Sequence, residues 1–203
     1  MSQRSRPPSS ARERILATAT ELFLREGYRA VGIDRIIELA GVAKTSLYRN
    51  FGSKDELIVA YLERSDEDFW RWFEEAIAGE ESPRARLMAL FDATEKLATS
   101  PRCLGCTFQV AAAEFPEPDH PAHRVSRAHK LEVLRRLREL ADEAGADDPA
   151  GMAEQLMLIM DGAWAAARML GPRNQAASAG AAARALLDAA LPSGAPQAAV
   201  RRR

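Results

Sequence analysis

Apolar residues recur every three or four positions along almost the whole chain, the spacing of one face of an α-helix. No segment of useful length has the alternating pattern of a β-strand. Ser, Pro and Gly at the ends of the periodic segments supply start and stop signals. We expect helices over residues 11–26, 83–99, 104–114, 122–144, 149–170 and 175–191, and a long helix from residue 54 through 73. The pattern predicts an all-α fold.

Residues 33–51 have the pattern of two short helices joined by a tight turn. The apolar face that includes Ile36 stops at Gly41, a residue that can take the positive φ that ends a helix abruptly. Leu47 and Phe51 then form the buried seam of a second helix. The other face of that helix carries hydrogen-bond donors and cations but no acid: Lys44, Thr45, Ser46, Tyr48, Arg49 and Asn50. A short helix of this kind suits the DNA major groove.

These residues resemble the signature of the tetracycline-repressor (TetR) family of transcriptional regulators. The family pattern A-G-V, a short polar stretch and L-Y-x-x-F-x-x-K-x-x-L is matched here between Ala40 and Leu57. The likeness extends over residues 10–62. It departs from the family at Gly32 and Asp34, where Ser or Thr and a basic or polar residue are frequent. The resemblance implies a DNA-binding domain followed by a helical body that binds a small molecule and forms dimers.

Sequence and resemblance together predict four parts of the chain. Residues 1–9 form a basic arm that we expect to be disordered, and residues 10–55 form a three-helix helix-turn-helix DNA-binding domain. Residues 56–191 form a C-terminal helical effector-binding and dimerisation domain, and residues 192–203 a disordered tail. The long helix that starts at residue 54 would join the two domains as a rigid lever.

The open face of the second motif helix carries the side chains that we expect to contact DNA. Lys44, Thr45 and Arg49 lie toward its N-terminal or outward part and suit base edges, and Arg49 suits a bidentate contact to guanine. The remaining candidates suit the phosphate backbone: Ser46, Tyr48, Asn50 and Lys54. A two-fold dimer places two such helices in successive major grooves, so the expected partner is a pseudo-palindromic operator in double-stranded DNA.

Charge is distributed unevenly along the chain. Residues 1–54 hold ten Lys and Arg against five Asp and Glu, whereas residues 55–203 hold eighteen against twenty-four. The formal net charge of the whole chain is only −1, so the distribution of charge, and not the total, bears on DNA binding. A basic N-terminal segment on an acidic body is typical of a DNA-binding module whose body repels phosphate.

The sequence carries no pattern of export or membrane insertion. Arg4 and Arg6 are followed by Pro and Ser with no apolar segment of a secretory signal. No apolar run approaches the roughly 18 residues of a membrane span. Cys103 and Cys106 are the only cysteines, which argues against a secreted disulfide framework. We expect a cytoplasmic protein with no membrane contact.

The resemblance implies a small-molecule effector, but no motif of the body identifies it. Candidate effector contacts are large or polar residues on otherwise apolar helix faces: Phe91, Thr94, Cys106, Phe108, Gln109, Met157, Met160, Trp164 and Arg168. Core packing is the alternative role for the Met and Phe residues. Gln109 and Arg168 are more informative, because a polar group that faces a helical core needs a partner. A body without any effector site is a further alternative.

The two cysteines support a second hypothesis. Cys103 and Cys106 lie near a predicted helix start, where the helix dipole and the neighbouring Arg102 would lower a thiol pKa. A redox- or electrophile-sensing regulator is therefore an alternative to two ordinary buried thiols. The cysteines, with His120 and His123, also approximate a zinc spacing, but only two residues separate the histidines, fewer than usual. We predict no metal and no cofactor.

The last two predicted helices are rich in small residues, over 162–167 and 176–183. The resemblance implies that this hairpin joins a second copy in a four-helix dimer interface, and a surface selected for helix propensity is the alternative. A small helical enzyme is the alternative from another class. The sequence shows no glycine-rich phosphate loop, metal-ligand cluster or nucleophile–base pair in a recognisable context. We therefore predict a homodimeric, ligand-responsive repressor and not an enzyme.

Overall fold

The structure is a computed structural model that describes residues 10–191. It contains nine α-helices: α1 Ala11–Glu26, α2 Ile33–Ala40, α3 Lys44–Phe51, α4 Lys54–Ile77, α5 Pro83–Ala98, α6 Thr107–Glu114, α7 Pro121–Glu143, α8 Pro149–Leu170 and α9 Ala179–Ala190. This part of the chain has no strand, so the predicted all-α fold is confirmed. None of its helices is long and apolar enough to cross a bilayer. The predicted arm and tail lie outside the described residues.

Helix boundaries follow local signals in the sequence. Ser10 and Glu13 form a capping box at the start of α1: the Ser10 hydroxyl accepts from the Glu13 N–H at 3.2 Å, and the Glu13 carboxylate accepts from the Ser10 N–H at 2.7 Å. Asp148 caps α8 by accepting from the Gly151 N–H at 3.0 Å. Both helices have the predicted bounds at both ends.

The helix predicted from Leu104 begins only at Thr107. Gly105 has a φ of +87°, which is outside the helical range, so the helix starts after it. The backbone of Gly105 also packs closely against α8, because an added Cβ would lie 2.7 Å from the Cβ of Arg168. The later start shortens α6 to eight residues.

The last predicted helix, over residues 175–191, opens as a separate 3₁₀ turn, Gln175–Ser178, before α9 begins at Ala179. Asn174 shapes this turn, since its side-chain oxygen accepts from the Ala176 N–H at 2.7 Å. Its amide also donates to the Ala98 carbonyl at 3.0 Å. A local side-chain bond of this kind competes with α-helical geometry.

Two compact units divide the chain. Within the described residues, the first comprises 10–69 and 107–129, and the second comprises 70–106 and 130–191. Because α4 and α7 cross this division, each contributes residues to both units. The first unit therefore contains the helix-turn-helix together with α6 and the first part of α7. The domain boundary predicted at residue 55 stays a prediction.

An aromatic cluster forms the core of the first unit. The ring of Tyr28 lies 5.3 Å from that of Phe23, 5.9 Å from that of Tyr61 and 5.9 Å from that of Phe115. All four side chains are buried. Phe23 comes from α1 and Tyr61 from α4, while Phe115 follows α6. Packing of large tilted rings joins these elements.

In the second unit, α5 packs against α8 and α9. The Gly180 N–H of α9 donates to the Glu95 carboxylate at 3.1 Å, and an added Cβ would lie 2.7 Å from an oxygen of Asp92. Several of the small residues predicted for a dimer surface are instead buried within the chain: Ala163, Ala166, Ala167, Ala176, Ala179, Gly180 and Ala183. A Cβ at Gly180 would therefore displace the carboxylate groups of Asp92 and Glu95 on α5.

Candidate nucleic-acid interface

The turn between α2 and α3 is fixed by hydrogen bonds around Gly41. Its φ of +62° and ψ of +43° are left-handed, a conformation in which a Cβ would be strained. The N–H groups of Gly41 and Val42 donate to carbonyls of the last turn of α2 at 3.2 and 3.1 Å, which is a Schellman motif. From α1, the Arg14 guanidinium donates to the Ala40 carbonyl at 3.2 Å. The hydrogen bonds within the turn and the Arg14 hydrogen bond from α1 therefore both hold the angle of the helix-turn-helix.

One side of α3 is buried and the opposite side is open to solvent. Leu47 is fully buried and Phe51 is 3% exposed, so this seam anchors the helix in the first unit. The open side carries five of the predicted DNA contacts: Lys44, Thr45, Tyr48, Arg49 and Asn50. The other two, Ser46 and Lys54, are half-buried. Their contacts with DNA stay predictions.

Lys44, at the start of α3, forms an ion pair with Asp34 of α2. The Nζ of Lys44 donates to Oδ1 of Asp34 at 2.9 Å, and both side chains are exposed. This hydrogen bond, together with the attraction of the two charges, raises the pKa of Lys44. Asp34 is one of the departures from the family pattern, and its pairing with Lys44 was not predicted from the sequence.

Lys54 lies at the start of α4, and its Nζ donates to the Arg29 carbonyl at 3.3 Å. Burial lowers the pKa of Lys54, and the negative charges of Asp55 and Glu114 partly oppose this effect. A half-buried ammonium at a helix N-terminus suits one fixed phosphate contact. Its hydrogen bond also ties it to the loop between α1 and α2.

An open cleft of about 580 Å³ lies beside the C-terminal end of α3. Arg12 lines it, with its guanidinium 5.1 Å from the Phe51 ring centre. Asn50 lines it too, and its amide donates to the backbone of its own helix at 2.7 Å. Because Asp55 and Glu56 complete the same wall, the cleft is unfavourable for phosphate.

Sequence reasoning missed a contribution of α6 to this unit. The Glu114 carboxylate accepts hydrogen bonds from the N–H groups of Tyr28 at 3.0 Å and Arg29 at 2.7 Å. These partners lie 86 and 85 residues away along the chain. No local pattern in a single sequence indicates a pairing across such a separation.

Four of the candidate effector residues of α5 and α8 are core residues. Phe91, Thr94, Met160 and Trp164 are all buried. The Thr94 hydroxyl donates to the Leu90 carbonyl of its own helix at 2.8 Å, so its polarity is already satisfied. The Trp164 ring lies edge-on to Trp72, with 5.8 Å between ring centres.

Of the other five candidates, Phe108 is also buried and Met157 is half-buried. The remaining three are more accessible. Cys106 and Gln109 are half-buried and Arg168 is exposed. Arg168 has the partner that a polar group in this position needs, since its Nη1 donates to the Leu104 carbonyl at 3.3 Å. Gln109 belongs to the first unit, whereas Cys106 and Arg168 belong to the second. Effector binding by all nine candidate residues stays a prediction.

The prediction of an activated thiol is wrong for Cys103. Burial raises the pKa of Cys103, a hydrogen bond with the Gly105 backbone opposes this, and the nearby Cys106 adds to it. Because α6 begins only at Thr107, Cys103 does not lie at a helix N-terminus. A raised thiol pKa lowers the thiolate fraction and so the reactivity.

The zinc spacing has no geometric counterpart within residues 10–191, where no group of three or more His, Cys, Asp or Glu side chains could hold a metal ion. His120 stacks on Phe115 with 4.1 Å between ring centres, and its Nδ1 accepts from the Ala122 N–H at 3.2 Å. His123 Nδ1 lies 2.9 Å from the Phe115 carbonyl. His120 therefore has a packing and a hydrogen-bonding partner, and His123 has a hydrogen-bonding partner.

The fold is all-α and contains a rigid helix-turn-helix. The second helix of this motif is anchored by an apolar seam and presents a polar face to solvent. These features define the class of helix-turn-helix DNA-binding proteins. Residues 15–61 match the family model of bacterial regulatory proteins of the tetR family.

Known proteins resemble the chain far beyond this segment. A TetR-family transcriptional regulator from Streptomyces coelicolor is 34% identical, with a TM-score of 0.85 over 89% of this chain and 95% of that one. A TetR-type regulator from Streptomyces avermitilis is 35% identical, with a TM-score of 0.79 over 90% and 98%. The HTH-type transcriptional regulator YjdC of Escherichia coli strain K12 is 26% identical over 81% of this chain and 86% of its own. The chain belongs to the TetR family of transcriptional regulators, which sets aside the alternative of a small helical enzyme.

Proposed function

We propose that the protein is a homodimeric repressor that binds a pseudo-palindromic operator and leaves it when a small molecule binds the body. The open polar face of α3 is the observation that carries DNA recognition. Five donors or cations project from a helix whose opposite side is locked into the core. Preorganised side chains lose less entropy when they bind, which favours specific contacts.

Each side chain of this interface has a proposed role. Arg49 contacts a guanine edge through two hydrogen bonds, which contribute about 1–3 kcal/mol of discrimination against other bases. Lys44 and Thr45 reach neighbouring base edges from the first turn of α3. The side chains that suit phosphate fix the register of the helix on the duplex: Ser46, Tyr48, Asn50 and Lys54.

Dimerisation through α8 and α9 is supported by the apolar surface that these helices leave open. Leu158 and Met169 of α8 are 73% and 79% exposed, and the exposed Gly162 lies between them at helical spacing. On α9, small exposed residues repeat every four positions at Ala181, Ala185 and Ala189. A second copy of the chain would cover both faces as a four-helix interface.

Release by an effector requires two conformations with different affinities for it. In the proposed mechanism, the small molecule binds among the second-unit candidates and favours a conformation in which α4 is displaced. The two copies of α3 then no longer match successive major grooves. An effector with equal affinity for both conformations would leave DNA binding unchanged.

Fluorescence anisotropy with duplex DNA from the upstream region of the gene, beside a scrambled duplex, tests the DNA-binding part of the proposal. We expect tight binding of one dimer per operator, a steep salt dependence and weak binding to the scrambled duplex. Arg49→Ala should weaken operator binding far more than scrambled binding, whereas Lys54→Ala should weaken both. Equal binding to the two duplexes, unchanged by either substitution, would refute recognition through α3.

A promoter fusion with the operator tests the direction of regulation and the effector. Repression predicts that loss of the protein raises reporter expression, since a bound dimer blocks the promoter. A fall in expression would identify an activator. Compounds that restore expression and also reduce anisotropy with purified protein are the effectors.

The proposed action on chromosomal DNA also implies that the protein works in the cytoplasm.

Thiol sensing is the second candidate, and Cys106 is the residue that carries it, since Cys103 has a raised pKa. Iodoacetamide alkylation of Cys103→Ala and Cys106→Ala variants tests this alternative. A sensor requires that the Cys106 thiol react in the folded protein and that reaction release DNA. Slow alkylation with intact DNA binding would exclude it.

A further inference from the structure

We propose that Glu114, the last residue of α6, is a positioning residue for DNA binding. Its carboxylate holds the loop that leads into the helix-turn-helix and, through that loop, the ammonium group of Lys54. The inference rests on the proposed function, because it assumes that Lys54 contacts a DNA phosphate. Glu114 itself touches no DNA in this proposal.

The first step is the grip of the carboxylate on the loop. Oε1 of Glu114 accepts from the Tyr28 N–H at 3.0 Å, and Oε2 accepts from the Arg29 N–H at 2.7 Å. Gly27 has a φ of +87°, and an added Cβ there would collide with the Glu114 carboxylate. One side chain therefore binds two consecutive backbone groups through charge-assisted hydrogen bonds, at a turn that only glycine can enter.

The second step leads from the loop to Lys54. The carbonyl of Arg29, whose N–H is held by Glu114, accepts from the Lys54 Nζ at 3.3 Å. Burial lowers the pKa of Lys54, and Glu114 is one of two carboxylates whose charge opposes that lowering. The Arg29 peptide and the Lys54 ammonium are thus arranged around the same carboxylate.

The third step leads from the loop to α2. This helix starts at Ile33 with Gly32 at its N-cap, and no side chain caps it. The start of α2 is therefore held by packing and by the chain that enters it, not by a capping side chain. Residues 28–32 form that chain, and Glu114 fixes its first two residues.

Both ends of α6 hold the same loop residue. At the first residue of α6, the Thr107 carbonyl accepts from the Tyr28 hydroxyl at 3.0 Å, while the Thr107 hydroxyl donates to the Tyr61 hydroxyl at 2.8 Å. At the last residue, Glu114 holds the Tyr28 backbone. The two contacts are separated by the length of α6, which is eight residues or roughly 12 Å. Because one end holds the side chain of Tyr28 and the other holds its backbone, α6 fixes the orientation of Tyr28 as well as its position.

The test combines Glu114→Ala with Lys54→Ala in a double-mutant cycle, using anisotropy with the operator duplex across a range of salt concentrations. Glu117→Ala is the matched control, because it removes an exposed carboxylate three residues further along the chain. We expect Glu114→Ala to weaken binding about tenfold and to lower the salt slope by about 2 per dimer, one lost phosphate contact in each protomer. Adding Lys54→Ala to Glu114→Ala should then cost less than about twofold.

Glu114→Gln keeps the shape of the side chain and only one acceptor oxygen, so it remains informative if Glu114→Ala does not fold. We expect intermediate weakening with an unchanged circular dichroism spectrum. A purely structural role would lower the melting temperature of these variants but leave the salt slope and the Lys54→Ala effect as in the wild type, which would overturn the inference. Wild-type binding that is unaffected by Lys54→Ala would instead refute the proposed phosphate contact itself.

Discussion

At the scale of single residues, an acid of α2 lies beside the cations on the predicted DNA-binding face of α3. Asp34 is 81% exposed and holds the Lys44 ammonium, which is expected to reach a base edge. A carboxylate on a surface that meets phosphate opposes all DNA binding, whereas a partner for Lys44 restrains where that ammonium points. We therefore expect the pair to lower affinity for arbitrary DNA more than affinity for the cognate operator.

Asp34→Asn tests this effect on specificity. Removing the charge should tighten binding to a scrambled duplex about tenfold while changing operator binding less, because released Lys44 contacts phosphate without regard to sequence. Anisotropy titrations of both duplexes at one salt concentration measure the ratio. Glu38→Gln removes a charge from another exposed position of α2 and serves as the control. Equal tightening on both duplexes would show that Asp34 affects affinity alone.

We predict that Lys54 makes DNA affinity depend on pH in the alkaline range. Because burial lowers the pKa of Lys54, its ammonium loses its proton at a lower pH than an exposed lysine does. DNA affinity should therefore fall as pH rises through the Lys54 pKa, with the salt slope falling too. In Lys54→Arg the guanidinium stays charged over the whole range, so the fall should disappear. A pH profile shared by the wild type and Lys54→Arg would assign the effect to another group.

At the scale of elements, sequence reasoning succeeded where the structure depends on local interactions. The capping box at Ser10, the stop at Gly41 and the seam of Leu47 are all readable within one or two helical turns. It was wrong about the start of α6, because the conformation of Gly105 accompanies close packing against α8. The role of Glu114 was missed for the same reason, since its partners are distant in sequence.

The turn at Gly41 permits a direct test at this scale. Gly41→Ala should destabilise the fold by about 1–2 kcal/mol, because alanine is strained at a φ of +62°. An added Cβ would have no neighbour within 4 Å, so the cost comes from the backbone alone. Chemical denaturation measures it. Gly79→Ala is the control, since a Cβ there also meets open space but without a positive φ. Equal stability of the two variants would contradict the left-handed turn.

At the scale of the whole molecule, the proposed dimer would determine whether two copies of α3 can act together. A single eight-residue recognition helix contacts only one half-site, and a dimer doubles the contacts. A substitution of Leu158, the exposed leucine on α8, can be used to separate the protomers.

Leu158→Glu should convert the dimer to monomers, because it places a charge in the middle of the proposed apolar interface. Light scattering after size-exclusion chromatography measures the mass, and anisotropy should show a large loss of operator affinity. Leu131→Glu is the matched control on α7, where the wild-type leucine is 48% exposed. If both variants remain dimeric, the interface lies elsewhere.

The composition of the first unit limits how the protein can be re-engineered. One way to change the DNA specificity of a regulator is to exchange its DNA-binding end for that of another by joining the chains after the N-terminal helices. Here a transplant of residues 10–69 would leave behind Phe115, which packs on Tyr28, and the α6 residues that bind the same tyrosine. A working hybrid would also have to carry residues 107–129, which are separate in sequence from residues 10–69, inserted into the recipient at the corresponding place.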